Sequence, residues 1–149
     1  MSGDAEKPYD MLTDYLSGRR IANIGAEEHR QAVQRYLVEE KGYPPETIEV
    51  DADIALDIGG EAYASQLDIV VRAAGKPFMV IKCAAASLES RQKEAIAAAR
   101  LIDAGPAPYA VVSDGTNAVV YDALSRKKID EGLSRIPSHA AGEAFMESY

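Results

Sequence analysis

The sequence lacks several features that mark common protein classes, and each absence excludes something. One cysteine, Cys83, occurs in 149 residues, so no internal disulfide can form. Its neighbours Ile81 and Ala84 predict a packed thiol rather than a reactive one. No run approaches the roughly 18 to 20 uninterrupted apolar residues of a membrane span, and the polar, acidic start lacks the charged-then-apolar build of a secretion signal. The expectation is a soluble, cytoplasmic protein without a membrane partner. The two histidines, His29 and His139, are far apart and have no Cys or His at ligand spacing, which argues against zinc. There is no G-x-S-x-G elbow, phosphate loop, dinucleotide glycine fingerprint or motor signature. Internal repeats and low-complexity tracts are absent too, so one domain over residues 1–149 is expected.

Basic residues are also scarce: 16 Lys and Arg against 24 Asp and Glu give a net charge of −8. That balance repels a phosphate backbone unless the cations gather on one face, and it counts against strong nonspecific DNA binding. It leaves room for a metal-dependent nuclease, whose own site is acidic.

What the chain does have is patterning. The polar residues 1–7 are expected to fray. Tyr9, Leu12, Tyr15 and Leu16 after Pro8 predict a short helix stopped by Gly18, followed by Arg19 and Arg20 in a solvated turn. Gly25 to Lys41 predicts a second helix, with Glu27 and Glu28 in its first turn, Ala32, Val33, Tyr36 and Leu37 on one face, and Gly42 as its stop. Ile48, Val50, Ala52 and Ile54 alternate with Glu49, Asp51 and Asp53, the period of a half-buried strand whose aspartates face solvent.

Beyond Gly59 and Gly60, Leu67 to Ala73 reads as a strand with one carboxylate, Asp68. Gly75, Lys76 and Pro77 turn the chain into Phe78 to Ala84, an apolar central strand that holds one charged residue, Lys82. Ser87 or Ser90 would cap a helix from Gln92 to Asp103, and Tyr109 to Val112 follows as a strand. Asp114 and Gly115 signal a hairpin into Ala118 to Tyr121, predicted as an exposed edge open to sheet-edge dimerisation. Arg126, Lys127 and Lys128 read as a solvated turn, and Ile136 and Pro137 as packing a tail (137–149) that ends in a helix near Ala141 to Met146. The whole is α/β: a mixed five-stranded sheet flanked by helices, with a parallel crossover through the helix after the third strand.

An acidic helix, a meander with one aspartate, a central strand with a charged residue and a crossover helix follow one another in the order of a nuclease core. The sequence resembles the N-terminal nuclease domain of type I restriction enzyme R subunits, a branch of the PD-(D/E)xK, restriction-endonuclease-like superfamily. The stretches that carry the resemblance are Glu27 to Gln31, Tyr36 to Pro44, Leu67 to Val71, Phe78 to Ile81 and Ala98 to Leu101, within Gly25 to Tyr121.

The resemblance implies an aspartate at Asp68 and Glu-x-Lys on the next strand, together holding Mg²⁺ and activating water. Positions 82 and 84 share a strand face, and this chain places Lys82 and Ala84 there. A cation at the place of a ligand carboxylate reverses the local charge, and a salt bridge between Lys82 and Asp68 is the simplest replacement. A rearranged site remains open in which Glu89 or Glu94, from the following helix, or Glu27, from the helix near the N-terminus, supplies the acid. Lys82 would then serve as the ammonium, and Asp68 and Glu89 would be the metal ligands.

Three readings follow. The first is a catalytically impaired nuclease-fold module that binds DNA, companion restriction-modification subunits or a second copy. The second is an active Mg²⁺-dependent endonuclease using Asp68, Lys82 and Glu27 in catalysis. The third is an acidic protein-interaction domain. Arg30 and Gln31 read as a surface pair.

Overall fold

The alternation that begins at Ile48 does not stop at Ile54. The computed structural model of the chain describes residues 11–22, 27–58, 61–84, 87–102 and 104–149, and of residues 22, 51–58 and 61–68 it describes the backbone. Strand β3 runs over Ile48–Ile58 and β4 over Glu61–Ala73, antiparallel, in register from Ile48↔Val71 to Ile58↔Glu61. Both outlast the predicted strands, because the small and polar residues Ala62, Ala64, Ser65 and Gln66 give no apolar pattern of their own and are held by the ladder.

After Ala74 (φ 52°) and Gly75 (φ 75°) turn the chain, β5 spans Lys76–Cys83. Consecutive positive φ values are the geometry that joins twisted antiparallel strands in two residues. Couples between β4 and β5 run from Ala73↔Lys76 to Ile69↔Ile81, so the β3–β4 ribbon continues beyond the body of the sheet toward Ile58 and Glu61.

Helix α2, Gln92–Leu101, then carries the chain across to β6, Tyr109–Ser113, which lies parallel to β5 as a crossover helix permits. The predicted serine caps are not used: the residue before α2 is Arg91, without a side-chain cap, and Ser90 instead donates to the Ser87 carbonyl at 2.7 Å. The Asp114–Gly115 turn leads into β7, Ala118–Asp122.

Ala118 to Tyr121 is not an edge. A further strand, β8 (Lys128–Glu131), pairs with β7 and makes the main sheet six-stranded, in the order β3-β4-β5-β6-β7-β8. Its four charged or exposed residues are too short and too polar to stand out as a strand in sequence, and they take Lys128 out of the predicted solvated turn. An edge this short and charged is also protected against pairing with another chain, which removes the argument for edge dimerisation through β7.

The predicted helix near the N-terminus is a hairpin over its described part. Strand β1, Met11–Thr13, pairs with β2, Arg20–Ala22, around a turn in which the Asp14 side chain accepts from the Ser17 backbone N–H (2.9 Å) and hydroxyl (2.6 Å). Side-chain capture of local backbone by aspartate competes with helix. Gly18, at φ 74°, closes the turn. Tyr9 and the first seven residues lie outside the described residues.

Two apolar layers hold the sheet. Helix α1, Glu27–Glu39, and helix α3, His139–Glu147, cover one face through Val33, Leu37 and Met146 against Ile69, Met79, Ile81 and Val111. Cys83 is buried in this layer, as expected of a packed thiol. On the other face α2 sets Ala95, Ile96 and Ala99 against Val70, Val80, Val112 and Tyr121. Ile136 is buried, and the Tyr43 hydroxyl donates to the Pro137 carbonyl at 2.8 Å, tying the C-terminal segment down. No described helix is long and apolar enough to cross a membrane.

Candidate functional site

Because side chains alternate along a strand, Lys82 shares the α2-facing side of β5 with Val80 and Ala84. The structure gives it a partner on α2: the Lys82 ammonium lies 3.5 Å from Glu94 Oε2. The lysine side chain is 21% exposed and that of Glu94 54%, so the pair sits at the mouth of the space between sheet and helix rather than inside the core. Glu94 also meets the Arg91 guanidinium at 3.2 Å, so one carboxylate serves two cations.

Asp68 precedes Ile69 on β4, and continuing the Ile69↔Ile81 register by one step sets its position opposite Lys82. On its other side the couples Val50↔Ile69 and Ala52↔Leu67 bracket Asp51 and Asp68, which makes these positions opposite as well. Positions 51, 68 and 82 therefore form one cross-strand row. The side chains of Asp51, Asp53 and Asp68 lie outside the described residues, and with them the expected Lys82–Asp68 bridge and the solvent-facing aspartates.

Of the three acids considered as replacements, Glu94 is the one the structure brings to Lys82. Glu89 precedes α2 in a short 3₁₀ turn and lies toward β7 and β8. Burial pushes the Tyr121 phenol up, with the Glu89 charge as the next cause, and Glu89 adds to the rise at Lys128 that Glu131 dominates. Glu27 is buried at the start of α1, on the opposite face of the sheet from Lys82, and its oxygens accept from Arg30 at 2.6 Å and Gln31 Nε2 at 2.9 Å.

Arg30 and Gln31 are accordingly not a surface pair. Gln31 Nε2 also donates to Asp14 at 2.9 Å, and its carbonyl oxygen accepts the Tyr15 N–H at 2.6 Å, so α1 and the β1–β2 hairpin share one polar cluster. At Asp14 burial acts upward, but hydrogen bonds from Gln31 and Ser17 outweigh it and leave the carboxyl below its ordinary range. The i, i+3 and i, i+4 spacing of Glu27 to Arg30 and Gln31 was the readable signal. Asp14 as the tertiary partner carried none.

His29 and His139 each meet partners within the fold. His29 Nδ1 donates to the Asp114 carbonyl at 2.6 Å, whereas His139 Nε2 stands 3.3 Å from Glu143 and its ring meets Tyr43 edge-on. Among the described residues no three His, Cys, Asp or Glu converge as metal ligands. Mg²⁺ requires several hard oxygens at near-octahedral geometry. The described side chains at this site are an ammonium and a carboxylate shared between Lys82 and Arg91.

A protein-family comparison matches residues 25–137 to the type I restriction enzyme R protein N terminus. A search of curated proteins finds no match. Among solved structures, the fold is similar to a fragment assigned to an HsdR subunit of a type I restriction enzyme from Vibrio vulnificus, with a TM-score of 0.62 and 13% identity. The similarity covers 84% of this chain and 26% of that one, so the protein spans about a quarter of its structural relative. With the family pattern extending over most of its length and the same fold beneath it, the chain belongs to the type I restriction enzyme R protein N-terminus family.

Proposed function

We propose that this domain keeps the restriction-endonuclease-like core as an interaction module, engaging DNA or a companion restriction-modification subunit without hydrolysing phosphodiesters. One observation carries the reading: the Lys82–Glu94 ion pair stands where active relatives in the superfamily present a second metal-binding carboxylate. A cation at the position opposite Asp68 in the register would compete with a divalent ion for that carboxylate, and Ala84 leaves no lysine two residues on to steady an attacking water.

The same contact favours a second reading. If Glu94 releases Lys82, Asp68 and Glu94 become the ligand pair and Lys82 the ammonium of a rearranged Mg²⁺-dependent endonuclease. Calorimetric titration of Mg²⁺ and Mn²⁺ into wild type and Asp68→Ala, followed by incubation of both with supercoiled DNA, separates the two. No metal heat and no nicking is the expected result. Metal binding and nicking that vanish together in Asp68→Ala would establish the rearranged enzyme. Salt-dependent DNA binding by wild type distinguishes a nucleic-acid module from one that recognises protein alone.

A further inference from the structure

The cations of this acidic chain are not evenly spread. Lys93 and Arg100 of α2 and Arg126 of the β7–β8 turn border a cavity of about 560 Å³, floored by Ile96, Ala97 and Leu101. The Arg100 guanidinium is fixed by donating to the carbonyls of Ala123 (3.1 Å) and Leu124 (2.8 Å). Lys93 and Arg126 are exposed, with no ion-pair partner among the described residues. Leu124, in the same turn, leaves 55% of its surface in water. From Gln92 to Leu101 the groove follows α2 for about 14 Å, at roughly 1.5 Å per residue, which is ample length for the last turn of a partner helix and the residues after it.

The chain also carries an exposed aromatic surface with a charge of opposite sign beside it. Phe145 of α3 and Tyr149, two residues past its end, are 38% and 44% exposed, with ring centroids 5.5 Å apart, and the exposed Glu147 lies between them in sequence. These rings and Leu124 are three of the four large apolar side chains left exposed among the described residues. Helices α2 and α3 pack on opposite faces of the sheet, so a molecule cannot seat its own α3 in its own groove.

We propose that the α2 groove receives the acidic, aromatic end of α3 from a second copy of this chain. Glu147 meets Arg126 and Lys93, and the Phe145–Tyr149 pair covers Ala97, Leu101 and Leu124. Each copy offers one groove and one helix, so assembly closes as a reciprocal dimer or a ring, or grows with concentration. It is independent of the phosphodiester chemistry considered above.

Sedimentation velocity over a wide concentration range at low and high salt tests it. The wild-type average mass should rise with concentration and fall with added salt. Arg126→Glu and Glu147→Lys, both at exposed positions, should each weaken self-association by about tenfold or more, with unchanged circular dichroism. The Arg126→Glu/Glu147→Lys double variant should recover it. A wild type that stays monomeric throughout, reversals without effect, or a double variant that fails to recover each overturns the proposal.

Discussion

Lys82 of β5 and Glu94 of α2 meet at 3.5 Å, joining the middle of the sheet to the helix that carries the chain across it. A lysine that follows the run Pro77, Phe78, Met79, Val80 and Ile81 and precedes Cys83 can keep its charge only beside a carboxylate or water. Glu94 supplies the carboxylate from the first turn of α2, where a negative charge also suits the helix dipole. The pair thus ties the sheet to the helix at the position on which the proposed function turns.

Because both side chains keep solvent contact, the pair is worth little in isolation. Lys82→Met and Glu94→Gln should each lower unfolding stability by about 1 kcal/mol or less, with a coupling of a few tenths in the double-mutant cycle, read from urea denaturation. A coupling several times larger would mean that the pair is more desolvated than its exposure indicates.

The elements legible in sequence were those whose pattern and packing agree. The apolar run of β5, the Asp114–Gly115 hairpin, α1 with its acidic first turn and the C-terminal helix all stand close to where periodicity puts them. The hairpin from Met11 to Ala22 was hidden because three-residue strands leave no period to count, and its turn is set by one aspartate side chain. The edge at β8 was hidden because an exposed, charged edge strand looks like a loop. For the site, residue types along β5 made Lys82 stand out as a charge in an apolar run, but which described glutamate meets it depends on the pitch of α2 over the sheet. That is a tertiary property, and three candidate glutamates could not be ranked without it.

Acid should find the turn before β7. Burial acts upward on the Asp114 carboxyl, but backbone N–H donors from Asn117 (2.7 Å) and Thr116 (2.9 Å) outweigh it and hold it below its ordinary range. A carboxyl with a depressed folded pKa binds protons more tightly when unfolded. Its stabilisation is therefore complete above the ordinary value of about 3.9 and is lost as pH falls through the folded value. Asp114→Asn keeps an oxygen for the same two donors and removes the proton linkage. Thermal melts of the variant should lose less stability than wild type as the solution is acidified below that range. Parallel pH profiles would rule out Asp114 as a source of the acid sensitivity.

Helix α1 rests directly on that turn. Gly115 has φ 86°, and a Cβ built on it would lie 2.8 Å from the Ala32 Cβ and 3.2 Å from the His29 carbonyl oxygen. Gly115→Ala combines a strained backbone with a steric clash and should cost about 1 to 3 kcal/mol in urea denaturation. Adding Ala32→Gly should return part of that loss if the clash contributes, despite the roughly 1 kcal/mol a mid-helix glycine costs.

Gln34 presents the opposite case, a residue whose removal should help. It is fully buried on α1 between the apolar contacts of Val33 and Leu37; among the described residues neither its Nε2 nor its Oε1 makes a hydrogen bond of good geometry, and its one polar neighbour is Asp14, whose carboxyl it helps to hold down. A buried amide left unsatisfied carries a desolvation penalty of about 1 to 3 kcal/mol, whereas an apolar side chain of similar length in the same space carries none and adds burial. Gln34→Leu should therefore raise unfolding stability by about 1 kcal/mol or more, and Gln34→Glu should lower it, by bringing a charge into the same space. Urea denaturation at neutral pH reads both. A fall in stability for Gln34→Leu would mean that the amide is hydrogen-bonded in solution, by water or by a ligand that reaches the cluster of Asp14, Glu27 and Gln31. Titrating candidate ligands against the amide resonances of Gln34 would then identify the group it holds.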